Sequence, residues 1–122
     1  MSNADTARAA FVAYANDDRE AIETLIADDF SFTSPLDNGI DRATYFDRCW
    51  PNHERLARFD FVRVVENGPE VMVTYECETV DGRRFRNTEV LTIRDGKIRA
   101  VEVYFGWSLP HPAAPRGFVK SE

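Results

Sequence analysis

A glutamate and an asparagine interrupt a stretch that is otherwise built to be buried. Between residues 83 and 94, Phe85, Asn87, Glu89 and Leu91 alternate with Arg84, Arg86, Thr88 and Val90. As a strand, this stretch puts the first four on one face. A carboxylate there is costly unless it is hydrogen-bonded, neutralised or open to a cavity. In an apolar pocket its pKa rises, which suits Glu89 to general acid, general base or hydrogen-bond donor work near neutral pH. The same position also suits a structural hydrogen bond to Asn87, Tyr75 or Tyr14 that only shapes the cavity. His53, after Trp50-Pro51-Asn52, offers an imidazole to relay protons at a pocket mouth, against the plainer reading of an exposed histidine near a helix end. Asp37 offers a rim base, against the plainer reading of a turn residue bonding its own backbone. Cys49 and His53 are four residues apart, but Pro51 breaks the helix that would align them as nucleophile and base. The two histidines lie in unlike contexts and no carboxylate partner has ligand spacing, so no metal is expected; the acid/base chemistry considered for these residues calls for no other cofactor.

The elements that must position these residues follow from periodicity. Ala7, Phe11 and Tyr14 recur at helical spacing over residues 6–16, with Asp5 as N-cap. Asp18 caps a second, shorter helix whose stripe is Ile22, Leu25 and Ile26. Phe30-Ser31-Phe32-Thr33-Ser34 alternates like a strand and stops at Pro35, and residues 36–40, with Asn38-Gly39, read as a loop. Asp41 caps a third helix carrying Phe46, Cys49 and Trp50, which Pro51 ends. Four strands follow at 57–66, 70–80, 83–94 and 97–107, joined by turns at Asn67-Gly68-Pro69, Asp81-Gly82 and Asp95-Gly96. Residues 108–122 read as an irregular, proline-rich tail. Helices segregated onto one face of an antiparallel sheet make the fold class α+β, in a single domain over 1–122.

Strand register decides which face carries Glu89. Three-residue loops with a bulge at Gly82 and at Gly96 place Val71, Val73, Tyr75 and Cys77 beside Phe85, Asn87, Glu89 and Leu91, and then beside Val101, Val103 and Phe105. The opposite face holds Thr74, Glu76, Glu78, Arg84, Arg86, Thr88, Glu102 and Tyr104. Two-residue turns would instead bring Glu102 and Tyr104 to Glu89 as a paired-carboxylate site. The separation of apolar from charged faces favours the bulged register. Tyr14, Phe32, Trp50, Phe59, Tyr75, Asn87, Val101, Val103 and Phe105 are then the expected lining of a pocket, and the opposite face is a candidate subunit interface.

Composition narrows the partners. The 122 residues are 43% hydrophobic and 12% aromatic, enough for one real core, and 21 acidic residues against 15 basic ones give a net charge of −6. That balance disfavours nucleic acid and anionic membranes as partners. No apolar run is long enough to span a bilayer, and Met1 to Asp5 has neither the basic region nor the apolar stretch of a secretion signal, so a cytoplasmic location is expected.

Phe11-Val12-Ala13-Tyr14-Ala15-Asn16-Asp17-Asp18, Phe30-Ser31-Phe32-Thr33-Ser34-Pro35 and Asp95-Gly96-Lys97-Ile98 with Tyr104-Phe105 resemble, in kind and order, the NTF2-like superfamily and within it the SnoaL-like proteins related to ketosteroid isomerase. The likeness runs from Thr6 to Trp107. It implies a cone-shaped α+β barrel, a curved antiparallel or mixed sheet wrapped round a pocket closed by three helices, and often a homodimer paired through the outer sheet face. It does not imply one activity. The tyrosine, aspartate base and protonated aspartate of ketosteroid isomerases fall on Ala10, Ser34 and Glu89, so only the last position keeps a carboxyl group. The final-strand aspartate of SnoaL-type cyclases falls where Val101 and Val103 point inward. The Asp-Arg-Asp group of limonene-epoxide-hydrolase relatives has only Arg63 as a counterpart. Two functions stay open: cofactor-independent isomerase, cyclase or dehydratase chemistry on an apolar carbonyl compound, with Glu89, His53 and Asp37 as acid/base groups, or a non-catalytic ligand-binding or structural dimer.

Overall fold

The computed structural model describes residues 1–120. Helix α1 (Asn3–Ala15) begins three residues earlier than its periodicity suggests, because Ser2 rather than Asp5 is the N-cap. Ser2 Oγ accepts from the Asp5 amide at 3.1 Å, and the Ser2 amide donates to the Asp5 carboxylate at 3.1 Å, a reciprocal capping box. Ser2→Ala is therefore expected to cost about 1 kcal/mol, read as a lower urea midpoint; an unchanged midpoint would return the helix start to Asp5. Thr6, Ala7, Ala10 and Ala13 are buried, and their small side chains let the helix lie close on the sheet. Asp18 caps α2 (Arg19–Leu25) and Asp41 caps α3 (Arg42–Arg48), both as expected. Pro51 sits at the start of a short 3-10 helix, Trp50–Arg55, which turns the chain out of α3.

Six strands follow the order β2-β1-β6-β5-β4-β3, formed by β1 (Ile26–Ser34), β2 (Asp37–Asp41), β3 (Leu56–Asn67), β4 (Glu70–Thr79), β5 (Arg84–Arg94) and β6 (Lys97–Leu109). β1 runs parallel to β6 and every other neighbouring pair is antiparallel, so the sheet is mixed. It is curved and open rather than closed into a barrel. Irregularities at Phe61/Arg63 in β3, at Phe85/Asn87 between β5 and β6 and at Thr92/Ile93 bend it round the helices.

Further boundaries also differ from the sequence expectation, among them the end of α3, which stops at Arg48 and leaves Trp50 to the 3-10 helix. Ile26 opens β1 instead of extending the α2 stripe, and it is buried either way. The loop at 36–40 is in fact strand β2, in which Ile40 pairs with Phe32 and Asp41 with Ser31, while the Gly39 amide donates to Thr33 Oγ1 at 3.0 Å. Its Asp, Asn and Gly residues carry no apolar alternation, so only the pairing reveals it. β6 continues to Leu109, with Ser108 opposite Phe85, which takes two residues from the expected tail.

The register places the charged and apolar faces as expected, but by a partly different route. The turn after Thr79 is a three-residue loop with Gly82 at φ +88°. Arg94 pairs directly with Lys97, so Asp95-Gly96 is a two-residue turn with both residues at positive φ. An irregularity one step later, where Thr92 pairs with Ala100 and Ile93 with Ile98, restores the inward phase of Val101 and Val103. Glu89 lies opposite Val103 and Val90 opposite Glu102. The paired-carboxylate arrangement is thereby overturned, since Glu102 is on the outer face. That face is laced by Arg86 to Glu76, by Arg58 and Arg84 to Glu78, and by Thr74 to Thr88 at 2.9 Å.

Candidate functional site

Between the concave face and the helices lies a cavity of about 380 Å³. Its deep end is made by Ala10, Ile22, Ile26, Phe30, Leu91 and Ile98, all buried apolar residues. Its mouth opens between the β1–β2 turn, the 3-10 helix, the β4–β5 turn and Phe105, where Leu36, Asn52, Arg55, Arg83 and Phe105 are exposed. Of the residues expected to line it, Tyr14, Phe32, Phe59, Tyr75, Asn87, Val101, Val103 and Phe105 do so. Trp50 does not. It is buried behind the wall, edge-on to Tyr14 with ring centroids 5.6 Å apart, and it also packs on Phe46.

Glu89 projects into this space from the middle of β5. Tyr75, from β4, donates its hydroxyl to Glu89 Oε2 at 2.7 Å. Asn87 holds Tyr75 in turn, its Nδ2 lying 3.5 Å from the phenol oxygen, and the Gly106 amide donates to Asn87 Oδ1 at 3.2 Å. Burial dominates the electrostatics and pushes the Glu89 carboxyl up to about 7, while the Tyr75 hydrogen bond opposes that rise only in part. The expected tie between Glu89 and its neighbours thus exists, yet the carboxyl still borders the cavity.

Two further phenols line the same cavity as Glu89. Burial first, and then the charge of Glu89, raise the pKa values of Tyr14 and Tyr45 well above the ordinary tyrosine value, and no hydrogen bond contributes to either shift. Both line the cavity as protonated donors. Tyr45 was not anticipated, although α3 carried the signal: Tyr45 and Cys49 are four residues apart, hence on one helical face, and both reach the cavity. Burial also raises the Cys49 and Cys77 thiols to about 11, so neither is a thiolate near neutral pH.

The other expected acid/base residues are engaged elsewhere. His53 is not part of the cavity wall: its Nδ1 lies 2.7 Å from the Trp50 carbonyl oxygen and its Nε2 2.8 Å from Asp17 Oδ1. The 3-10 turn sends it back towards the end of α1, while Asn52 and Arg55 reach the cavity. Asp37 does reach the mouth, but Arg48 donates to one of its oxygens and Ser34 Oγ to the other. The Arg48 contact first, with Ser34 adding to it, holds its carboxyl below the usual carboxylate range. Asp37 anchors the β1–β2 turn and is a poor proton donor near neutral pH. Among the described residues, no group of three His, Cys, Asp or Glu side chains is arranged to hold a metal ion. Nor, among the described residues, is any helix long and apolar enough to cross a membrane.

A family model described as a SnoaL-like domain matches residues 7–101. The chain belongs to the SnoaL-like family. Solved structures agree on the fold. An NTF-2 like protein of unknown function from Burkholderia xenovorans is 20% identical, with 98% of this chain and 94% of that one covered and a TM-score of 0.75. A provisional ketosteroid isomerase from Kribbella flavida is 19% identical over 98% of this chain and 89% of its own, with a TM-score of 0.73. An epoxide hydrolase of the LEH-like type from M. tuberculosis is 17% identical over 85% and 82%, with a TM-score of 0.71. No curated protein matches the chain. At these identities the neighbours of this SnoaL-like chain establish architecture and leave the chemistry to the residues that line the cavity.

Proposed function

We propose that this SnoaL-like protein binds an apolar carbonyl compound in its cone and moves a proton on it without a cofactor, as an isomerase, cyclase or dehydratase does. The observation that carries the reading is Glu89, a carboxyl with pKa raised to about 7, bordering an apolar cavity beside two phenols free to donate. A carboxyl poised near the working pH serves both directions of proton transfer. Ionised Glu89 takes a proton from the carbon next to the carbonyl, forming its own O–H bond as the C–H bond breaks. The electron pair moves to the carbonyl oxygen, where Tyr14 or Tyr45 donates a hydrogen bond to the developing enolate. Glu89 then returns the proton to the same or another carbon. Tyr75 and Asn87 orient the carboxyl throughout.

The test is α-proton exchange of an apolar ketone, β-tetralone, in deuterated water followed by NMR. The protein is expected to accelerate exchange with a rise centred near pH 7, and Glu89→Gln to reduce it by about a hundredfold or more. Ketone binding without any accelerated exchange would sink the catalytic reading. A second reading would then stand, that of a ligand-binding module. It is favoured by Ser34 at the position where ketosteroid isomerases carry a base and by His53 being turned away from the cone. Homodimerisation through the outer sheet face belongs to either reading, supported by the exposure of Val65, Met72 and Tyr104.

A further inference from the structure

The mouth of the cone has a charge that the rest of the molecule does not explain. The chain is strongly acidic, with a net charge of −6, yet two exposed arginines, Arg55 and Arg83, line the opening. They come from adjoining segments, since the Val80 amide donates to the Arg55 carbonyl and the Thr79 amide to the Arg83 carbonyl, each at 2.8 Å. Arg83 is met by Asp81 at 3.2 Å. Arg55 has no ion-pair partner among the described residues, whereas the other two charged residues that line the mouth, Asp37 and Arg83, are paired with Arg48 and Asp81. In a 3-10 helix, side chains three residues apart eclipse. Asn52 and Arg55 therefore project together, and both reach the cavity while the intervening His53 does not. An uncommitted guanidinium, an amide and a second guanidinium thus converge on one end of the largely apolar chamber that Glu89 enters from the middle of β5.

We propose that the ligand is an amphipathic carboxylic acid, with its apolar body in the cone and its carboxylate held at the mouth by Arg55, with Asn52 and Arg83 assisting. Guanidinium matches a carboxylate in charge and in its two parallel donors. Along β4, Val73 stands opposite Glu89, and six residues further on Thr79 stands level with the mouth. That separation is about 20 Å of strand before the arginine reaches inward, so the acid carries its reacting group well removed from its carboxylate. The assignment rests on the reading of the cone as a ligand site, and it makes Arg55 a specificity residue that acts away from the chemistry.

The experiment compares decanoate with decanamide, a neutral match of the same length, by isothermal titration calorimetry near neutral pH. Decanoate is expected to bind at least about fivefold more tightly, with the preference shrinking as salt is added. Arg55→Gln should erase the preference with the circular dichroism spectrum unchanged, and Arg83→Gln should weaken it only in part. Glu89→Gln should retain it. Equal binding of the two ligands, or tighter binding of the amide, overturns the mouth assignment and leaves the proton-transfer reading standing. Loss of the preference in Glu89→Gln overturns it too, because the carboxyl would then be pairing at depth. If neither ligand binds, the mouth assignment falls with the ligand site itself. A retained preference without β-tetralone exchange supports the mouth while the catalytic reading fails.

Discussion

Glu89→Gln is expected to make the protein about 3 kcal/mol more stable near pH 8 while leaving it nearly unchanged near pH 4. The folded carboxyl has its pKa raised from 4.5 to about 7, at about 1.36 kcal/mol per unit. A raised folded pKa means that the native state keeps a proton which the unfolded chain has already lost. The stability contributed by Glu89 is therefore full below about 4.5, falls as pH rises, and is gone above about 7. Glutamine cannot ionise, and its side-chain oxygen can still accept from Tyr75, so the variant avoids the loss. Urea unfolding of both proteins at the two pH values isolates the group, because every other carboxylate cancels in the difference. A difference that does not change with pH would show that the cavity solvates the carboxylate and that its pKa is ordinary. The sign matters for function. A group that lowers stability near neutral pH, where glutamine would not, is what the proposed proton transfer expects of Glu89.

Gly106→Ala is expected to cost about 3 kcal/mol and to disturb the site as well as the sheet. A Cβ at Gly106 would lie 2.0 Å from the Arg86 carbonyl oxygen and 3.0 Å from its carbonyl carbon, both backbone atoms that cannot rotate away. The close approach arises from the irregularity in which Phe85 pairs with Ser108 and Asn87 with Phe105. That same irregularity aims the Gly106 amide at Asn87 Oδ1, which orients the asparagine towards Tyr75 and through it Glu89. A lowered urea midpoint together with a shifted pH midpoint of exchange is the expected outcome. A variant within about 1 kcal/mol of the parent, with its pH profile intact, would show that β6 can slide and that the network does not depend on the bulge.

Much of this site was legible before any coordinates. Helix caps at Asp18 and Asp41, the four-strand meander, and the sorting of apolar from charged residues onto two faces all follow from local chemistry, because period, capping and turn residues act within a few positions of one another. So does the anomaly of Glu89, since a carboxylate in an apolar alternation is out of place whatever surrounds it. The family resemblance supplied the curved sheet and the three helices. It also implied that the isomerase positions fall on Ala10 and Ser34, which lack the corresponding functional groups.

What remained depended on contacts between distant segments. β2 exists only because β1 offers it a partner, and nothing in Asp37 to Asp41 alternates. The inward phase of Val101 was anticipated for a turn that is not there: a two-residue turn and a later irregularity sum to the same face, and local sequence does not distinguish the two routes. His53 had its fate decided by Asp17, which approaches from the end of α1, and Asp37 by Arg48 on α3. Tyr45 joined the site when α3 closed over β1. The sequence alone determined which residues carry chemistry and which face they share, because side-chain type and strand period are local. Only the tertiary structure decided which of them remain free to act, because hydrogen-bond partners, burial and the resulting pKa are properties of the whole fold.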